Sequence, residues 1–138
     1  MSSEIVERSF GRSIDQLQEV FDFTNDFAVE HTVNDKARYV LDLAVEEFFT
    51  NMVKYNPSGR GDIQMRMHLE EDEIIVHLLD PDSEFFDVTK DRQIDLRRSL
   101  AERKPGGLGI YLVQKLVENL HYQHHERIST ISFRLPLE

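Results

Sequence analysis

The chain has 138 residues, 40% of them hydrophobic and 30% charged, a balance that suits one soluble domain with its own core. A formal net charge of −10 argues against nonspecific nucleic-acid binding, so no direct nucleic-acid partner is expected. The lack of cysteine excludes disulfides, thiolate zinc sites and cysteine nucleophiles, and it fits a cytoplasmic protein. No apolar run nears the roughly 20 residues of a spanning helix, and the first residues carry no apolar signal core, so neither membrane insertion nor export is expected.

In chain order, Ile5 to Ser9 predicts a short strand. Ser13-Ile14-Asp15-Gln16 reads as a capping box, with Ser13 as N-cap and Gln16 reaching back. Ile14, Leu17, Phe21, Thr24 and Ala28 then keep helical spacing to about Glu30. Asn34 can cap a second helix with an apolar face of Leu41, Ala44, Val45, Phe48, Met52 and Tyr55. Asn56-Pro57-Ser58-Gly59-Arg60-Gly61 ends it. Strict alternation follows: Ile63, Met65, Met67 and Leu69 point one way, and Gln64, Arg66, His68 and Glu70 the other. Glu71-Asp72 is a tight turn into Ile74 to Asp80, a more continuously apolar strand expected at the centre of a sheet and antiparallel to its neighbour.

Residues 81–105 break all periodicity except for a short helical pattern from Ile94 to Ala101, and a loop this long is expected to be functional or disordered. From Asp87 to Lys104 the segment has a net charge of +2, which leaves −12 on the rest. Glycines at 106, 107 and 109 then open a helix to about Asn119, with Leu108, Leu112, Leu116 and Leu120 four apart and Val113 and Val117 beside them. Two further strands are expected over about His121–Glu126 and Ile128–Leu135. The order implies an α+β two-layer sandwich in one domain over 1–138, with a mostly antiparallel, mixed sheet covered on one face by three helices.

Three features carry chemistry. Glu47 and Asn51 stand four apart on one helix flank, with Lys54 a turn further on. A carboxylate and an amide oxygen could hold Mg²⁺, and the carboxylate could act as a base; taken alone, a solvated polar stripe is the commoner reading. Asp80 closes an apolar strand and could accept a hydrogen bond from an exocyclic amine, although an aspartate before Pro81 is also an ordinary turn residue. The glycines at a helix N-terminus could cradle phosphate, or serve as a hinge before a buried helix. His121, His124 and His125 read as exposed or interfacial rather than metal-binding, and Phe48-Phe49 and Phe85-Phe86 as core.

The order of these features resembles the Bergerat-type ATP-binding fold of histidine kinases, gyrase and MutL, the GHKL superfamily. Glu47-Phe-Phe-Thr-Asn51 is similar to its N box, Asp80-Pro-Asp-Ser-Glu-Phe-Phe-Asp87 to its first glycine box, and Gly106-Gly-Leu-Gly109-Ile-Tyr-Leu-Val to its second. The small size and the wording of these boxes look most like the anti-sigma factor serine/threonine kinases, over about residues 10 to 135. That resemblance implies ATP and Mg²⁺ as cofactors and a lid at about 81–105. It implies Asn51 as Mg²⁺ ligand, with Glu47 reaching the ion through water, and Glu47 as general base for a protein Ser or Thr hydroxyl. Asp80 would take the adenine amine, the backbone at Gly106, Gly107, Leu108 and Gly109 would meet the phosphates, and Lys54 would add charge. The implied partners are an anti-anti-sigma (STAS-type) phosphoacceptor and a sigma factor, with a homodimer as the assembly. Asp82 departs from the family pattern, which has glycine there. That departure keeps open a second reading, a non-catalytic binding module of the same fold with weak or no ATP turnover.

Overall fold

The structure is a computed structural model and describes residues 2–85 and 107–137. Most of the expected lid, the helical pattern at 94–101, Phe86 and Gly106 lie outside the described residues. The elements are β1 (Val6–Phe10), a 3-10 turn (Ile14–Gln16), α1 (Leu17–Glu30), α2 (Asp35–Tyr55), β2 (Ile63–Glu70), β3 (Glu73–Asp80), α3 (Gly107–Leu116), β4 (Glu118–His125) and β5 (Ile128–Pro136).

The five strands form one sheet in the order β1-β2-β3-β5-β4. Among the described residues every pairing is antiparallel, where a mostly antiparallel, mixed sheet is expected from the sequence. The apolar β3 takes the middle place, as its composition predicts. The Glu71-Asp72 turn joins β2 to β3 with Glu70 opposite Glu73, and Glu71 has a φ of 57°. Alternation then fixes which face is wet. Ile63, Met65, Met67, Ile74, Val76, Leu78, Ile131 and Phe133 are buried in the core with the helices. Gln64, Arg66, His68, His77 and Thr130 line the opposite face, with partly exposed Leu79 among them.

Helix starts are set by local chemistry. Ser13 Oγ accepts from Asp15 N, but Gln16 Oε1 accepts from Gly11 N at 3.3 Å, not from Ser13. The box is therefore one-sided, because Ser13 N already bonds Gly11 O in a tight turn. The buried face of α1 is Val20, Thr24, Phe27 and Ala28, while Ile14 is exposed. Asn34 caps α2 as expected, its Oδ1 accepting from Ala37 N at 2.8 Å.

α2 is the central helix, in contact with α1, α3, β3 and β5. It buries more of its circumference than a single apolar stripe would: Val40, Leu41, Ala44, Val45, Phe48, Phe49, Asn51, Met52 and Val53 are all buried, and Tyr55 is exposed instead. α3 ends at Leu116, earlier than its leucine spacing suggests, because β4 begins at Glu118. Its buried side is Ile110 and Val113, continued by Val117, while Leu112 and Leu116 remain exposed. The spacing at three and seven, not the leucine line, packs inward. Among the described residues no helix is long and apolar enough to cross a membrane.

Two substitutions on α2 separate capping from packing. Asn34→Ala is expected to lower stability by about 1 kcal/mol. Phe48→Ala, at a residue with no exposed surface, is expected to lower it by about 3–5 kcal/mol. Urea denaturation of both variants beside wild type checks the ranking.

Candidate nucleotide site

Glu47 and Asn51 lie on the flank of α2 that meets α3, so the polar pair is not a solvated stripe. Asn51 is 4% exposed and Glu47 is partly buried. Asn51 Nδ2 donates to Glu47 Oε1 at 3.4 Å, a long bond between residues one turn apart. Gly109, in the first turn of α3, sits directly against this carboxylate: a Cβ there would overlap the Glu47 carboxyl group. The glycine thus leaves room for the carboxylate beside the first turn of α3. Burial pushes the Glu47 pKa up from its ordinary 4.5; the Asn51 bond and the charge of Lys54 pull the other way, and Glu46 adds to the rise. Lys54 itself is exposed, its Nζ 5.3 Å from the Tyr55 ring centre.

With its nitrogen turned to Glu47, Asn51 keeps its amide oxygen as the end left for a ligand, and Asn51 lines a cleft. An amide oxygen and a neighbouring carboxylate are hard oxygen donors of the kind Mg²⁺ takes together with waters and phosphates. The pair therefore fits that ion. Among the described residues no group of three or more His, Asp or Glu could hold a metal, and the three C-terminal histidines form no such site.

The cleft has a volume of about 370 Å³ and runs from Asn51 to Asp80. Ser83, Phe85, Tyr122 and Ser129 also line it. Phe85 is not core: it is 67% exposed and packs edge-on against Tyr122 and His124 at 5.6 and 5.8 Å between ring centres. His124 points to this side of β4 and bonds the Ser83 carbonyl through Nε2 at 2.9 Å. Ser83 and Ser129 share a hydroxyl contact at 2.5 Å, and Tyr122 reaches Ser129 at 3.2 Å. An aromatic and hydroxyl-lined cleft of this size is suited to a small polar ligand with a flat ring.

Asp80 is at the end of β3 and borders the cleft, as its position implies, but its carboxylate is already engaged. Arg12 grips it with both terminal nitrogens, Nη1 to Oδ2 at 2.9 Å and Nη2 to Oδ1 at 2.8 Å. Asn56 Nδ2 donates to Oδ2 at 3.3 Å, and the backbone N–H of Asp82 donates to Oδ1 at 3.0 Å.

Asp82, the departure from glycine, is turned into a second network. Its Oδ2 accepts from Arg60 N and its Oδ1 from Arg127 Nε, each at 2.6 Å, while its carbonyl takes a short bond from Asn56. These donors hold its pKa below the ordinary carboxylate value, the Arg60 backbone N–H first and the Arg127 side chain next. The added negative charge is thereby neutralised beside the cleft. Arg12, Asn56 and Arg127 were not foreseen from the sequence. Each lies in a turn outside any motif, and the bonds that give it a role reach 68, 24 and 45 positions along the chain.

The model for the histidine kinase-like ATPase domain matches residues 10–135, and the chain belongs to that family. Its sequence is 28% identical over 96 residues to a serine-protein kinase, RsbW, of Listeria innocua, and equally so to that of Listeria monocytogenes. Each match covers 66% of this chain and 61% of the relative, so the chain spans less than two thirds of those proteins. Among solved structures it is similar to the RsbU and RsbW domains of Rv1364c from Mycobacterium tuberculosis, with a TM-score of 0.68 at 13% identity, over 97% of this chain and 32% of that one. It is also similar to a chain of the SiaB–SiaC complex from Pseudomonas aeruginosa, with a TM-score of 0.65 at 16% identity, over 94% and 87%. These structures share the fold, α+β with helices on one face of an antiparallel sheet.

The raised pKa of Glu47 has a thermodynamic consequence with a definite sign. Between its unfolded and folded values the native state binds more protons, so stability falls as pH rises through that window. Glu47→Gln is therefore expected to raise Tm at pH 8, and the gain should shrink toward zero near pH 4, where wild-type Glu47 is mostly protonated in both states. Thermal melts of both proteins across pH 4–8 check it. Gly109→Ala should turn the Glu47 carboxyl group, the far end of a flexible side chain, away from α3 and leave stability within about 1 kcal/mol of wild type, read by denaturant unfolding.

Proposed function

We propose that the chain is an ATP-dependent protein serine/threonine kinase of the partner-switching kind. It phosphorylates an anti-anti-sigma (STAS-type) protein and holds a sigma factor as its alternative partner. In this reading residues 1–138 act as one cytoplasmic ATPase domain with a lid over about 81–105, working as a homodimer. The observation that carries the proposal is the Glu47–Asn51–Gly109 arrangement: a partly buried carboxylate of raised pKa, beside a buried amide, against the first turn of a helix. The RsbW relatives, named serine-protein kinases, support the reaction class, and the likeness to the SiaB–SiaC complex supports a protein partner.

Phosphoryl transfer needs positioning and charge neutralisation more than covalent chemistry from the protein. Asn51 would hold Mg²⁺ through its amide oxygen, with Glu47 reaching the ion through water; the ion would neutralise phosphate charge. The N–H groups of Gly107, Leu108 and Gly109 at the start of α3, together with that of Gly106, the residue before them in sequence, would meet the phosphates, where the helix end favours anions. Lys54 would add positive charge on the same flank. Glu47 would accept the proton of the Ser or Thr hydroxyl as its oxygen bonds the γ-phosphorus and the bond to the departing ADP oxygen breaks. A carboxylate of raised pKa is the stronger base for that step. Asp80 would border the base.

The second reading is a regulatory binding module with weak or no turnover. It is favoured by one observation, the engagement of Asp80 by Arg12 and Asn56.

Two measurements separate the readings. Mg·ATP at about 100 times Kd should add roughly 2.7 kcal/mol of stability, seen as a Tm shift of several degrees, and Asn51→Ala should abolish it. Glu47→Gln should keep that shift and lose about 10²–10⁴ in phosphate transfer to the partner. Transfer at the wild-type rate by Glu47→Gln would rule out the general-base role. A ligand-induced shift without any transfer would favour the binding module.

A further inference from the structure

Arg12 is a buried cation for which the kinase chemistry has no use. Its side chain is 6% exposed, and that of Asp80 is 2% exposed. A carboxylate offers about four acceptor positions. At Asp80 four donors already take them: Nη1 and Nη2 of Arg12, Nδ2 of Asn56 and the N–H of Asp82. An exocyclic amine on a base would be a fifth.

The surrounding loop is shaped to keep Arg12 there. Its Nη2 also donates to the carbonyls of Gly61 at 3.2 Å and Arg60 at 3.4 Å, and its Nη1 to that of Asn56 at 3.4 Å. Gly59 makes the room: a Cβ at that position would stand 2.8 Å from Arg12 Cζ and 2.6 Å from Asn56 Nδ2. The fit is not complete, because Arg12 Nε is buried with no hydrogen-bond partner among the described residues. An orphaned donor costs stability, but the five bonds from Nη1 and Nη2 outweigh one unpartnered Nε, and Arg12 stays on Asp80.

We propose that Arg12 is a specificity-determining residue of the cleft. It occupies Asp80 in the place of a purine amine, so that the wild-type cleft takes purine triphosphates without reading the 6-amino group, and its removal opens Asp80 to that group. This rests on the reading that the cleft binds a nucleotide. Arg12 acts through Asp80 and is given no part in phosphate transfer.

The test compares the affinities of Mg·ATP and of the triphosphate of purine riboside, which lacks the 6-amino group. Both are titrated by calorimetry into wild type, Arg12→Met and Arg12→Met/Asp80→Asn, with circular dichroism to check folding. Wild type should bind the two ligands within about twofold of each other. Arg12→Met should favour ATP by roughly tenfold or more, the worth of a hydrogen bond to a charged acceptor, and the added Asp80→Asn should remove that preference. If Arg12→Met does not fold, Arg12→Lys keeps the charge but cannot grip both oxygens, and it should favour ATP by a smaller factor. A tenfold preference for ATP in wild type, unchanged by either Arg12 variant, overturns the inference and leaves the kinase reading intact. If wild type binds neither ligand while Arg12→Met binds ATP, the inference falls together with the kinase reading, because the wild-type cleft is then closed to purine triphosphates altogether. If no folded variant binds either ligand, both fall.

Discussion

α2 serves the core and the candidate site at once, and the geometry of a helix makes that possible. Successive side chains are turned by about 100°, so Phe48 can be fully buried, ring against Phe133 of the sheet, while its neighbour Glu47 is directed at α3. Neither role could be moved by a residue without spoiling the other. A shift of α2 that exposed Phe48 would also draw the Glu47 carboxylate from Gly109. The packing of one helix between a sheet and two other helices is therefore the condition on which the site depends, and the Asn34 cap and the Asn56-Pro57 stop fix where that helix begins and ends.

Much of this frame was legible because period and burial speak the same language. The alternation at Ile63, Met65 and Met67 gave a strand with one wet face, and the apolar run in β3 gave its middle position. The Glu47–Asn51 spacing put both residues on one flank, which is where they are. Patterns failed where a residue's fate depends on a distant element. Leu112 and Leu116 keep faultless helical spacing, yet Ile110 and Val113 are the side chains that go inward. Phe85 reads as core and stands at the rim of the cleft. Asn51, polar and in the last turns of α2, is buried beside Glu47, to which it is hydrogen-bonded. Arg12 and Arg127 gave no signal: an arginine in a turn looks alike whether it waves in solvent or grips a carboxylate across the sheet.

Asp82 shows how a departure from a family pattern is absorbed. An anion in place of glycine beside the cleft would repel an anionic ligand if left alone. Here the Arg127 guanidinium and the Arg60 backbone N–H take its charge, and the hairpin turn that carries Arg127 has both residues at positive φ, Glu126 at 48° and Arg127 at 69°. Backbone of that kind is uncommon outside glycine and suits a two-residue hairpin. The turn that presents the arginine is thus specific in shape as well as in charge.

The bonds that assemble the cleft also bear on how the chain folds. Arg12 meets Asp80 across 68 positions, Arg127 meets Asp82 across 45, and Ser83 meets Ser129 across 46. Closing such long loops is entropically unfavourable and comes before the contacts reward it. The Asp80 and Asp82 networks beside the cleft cannot form in a local fragment; they arise with the sheet, once β1, β3 and the β4–β5 hairpin are in register. The cleft is accordingly a cooperative product of folding, and a nascent chain would lack its wall at Tyr122 and Ser129 until the β4–β5 hairpin, ending at Pro136, had docked.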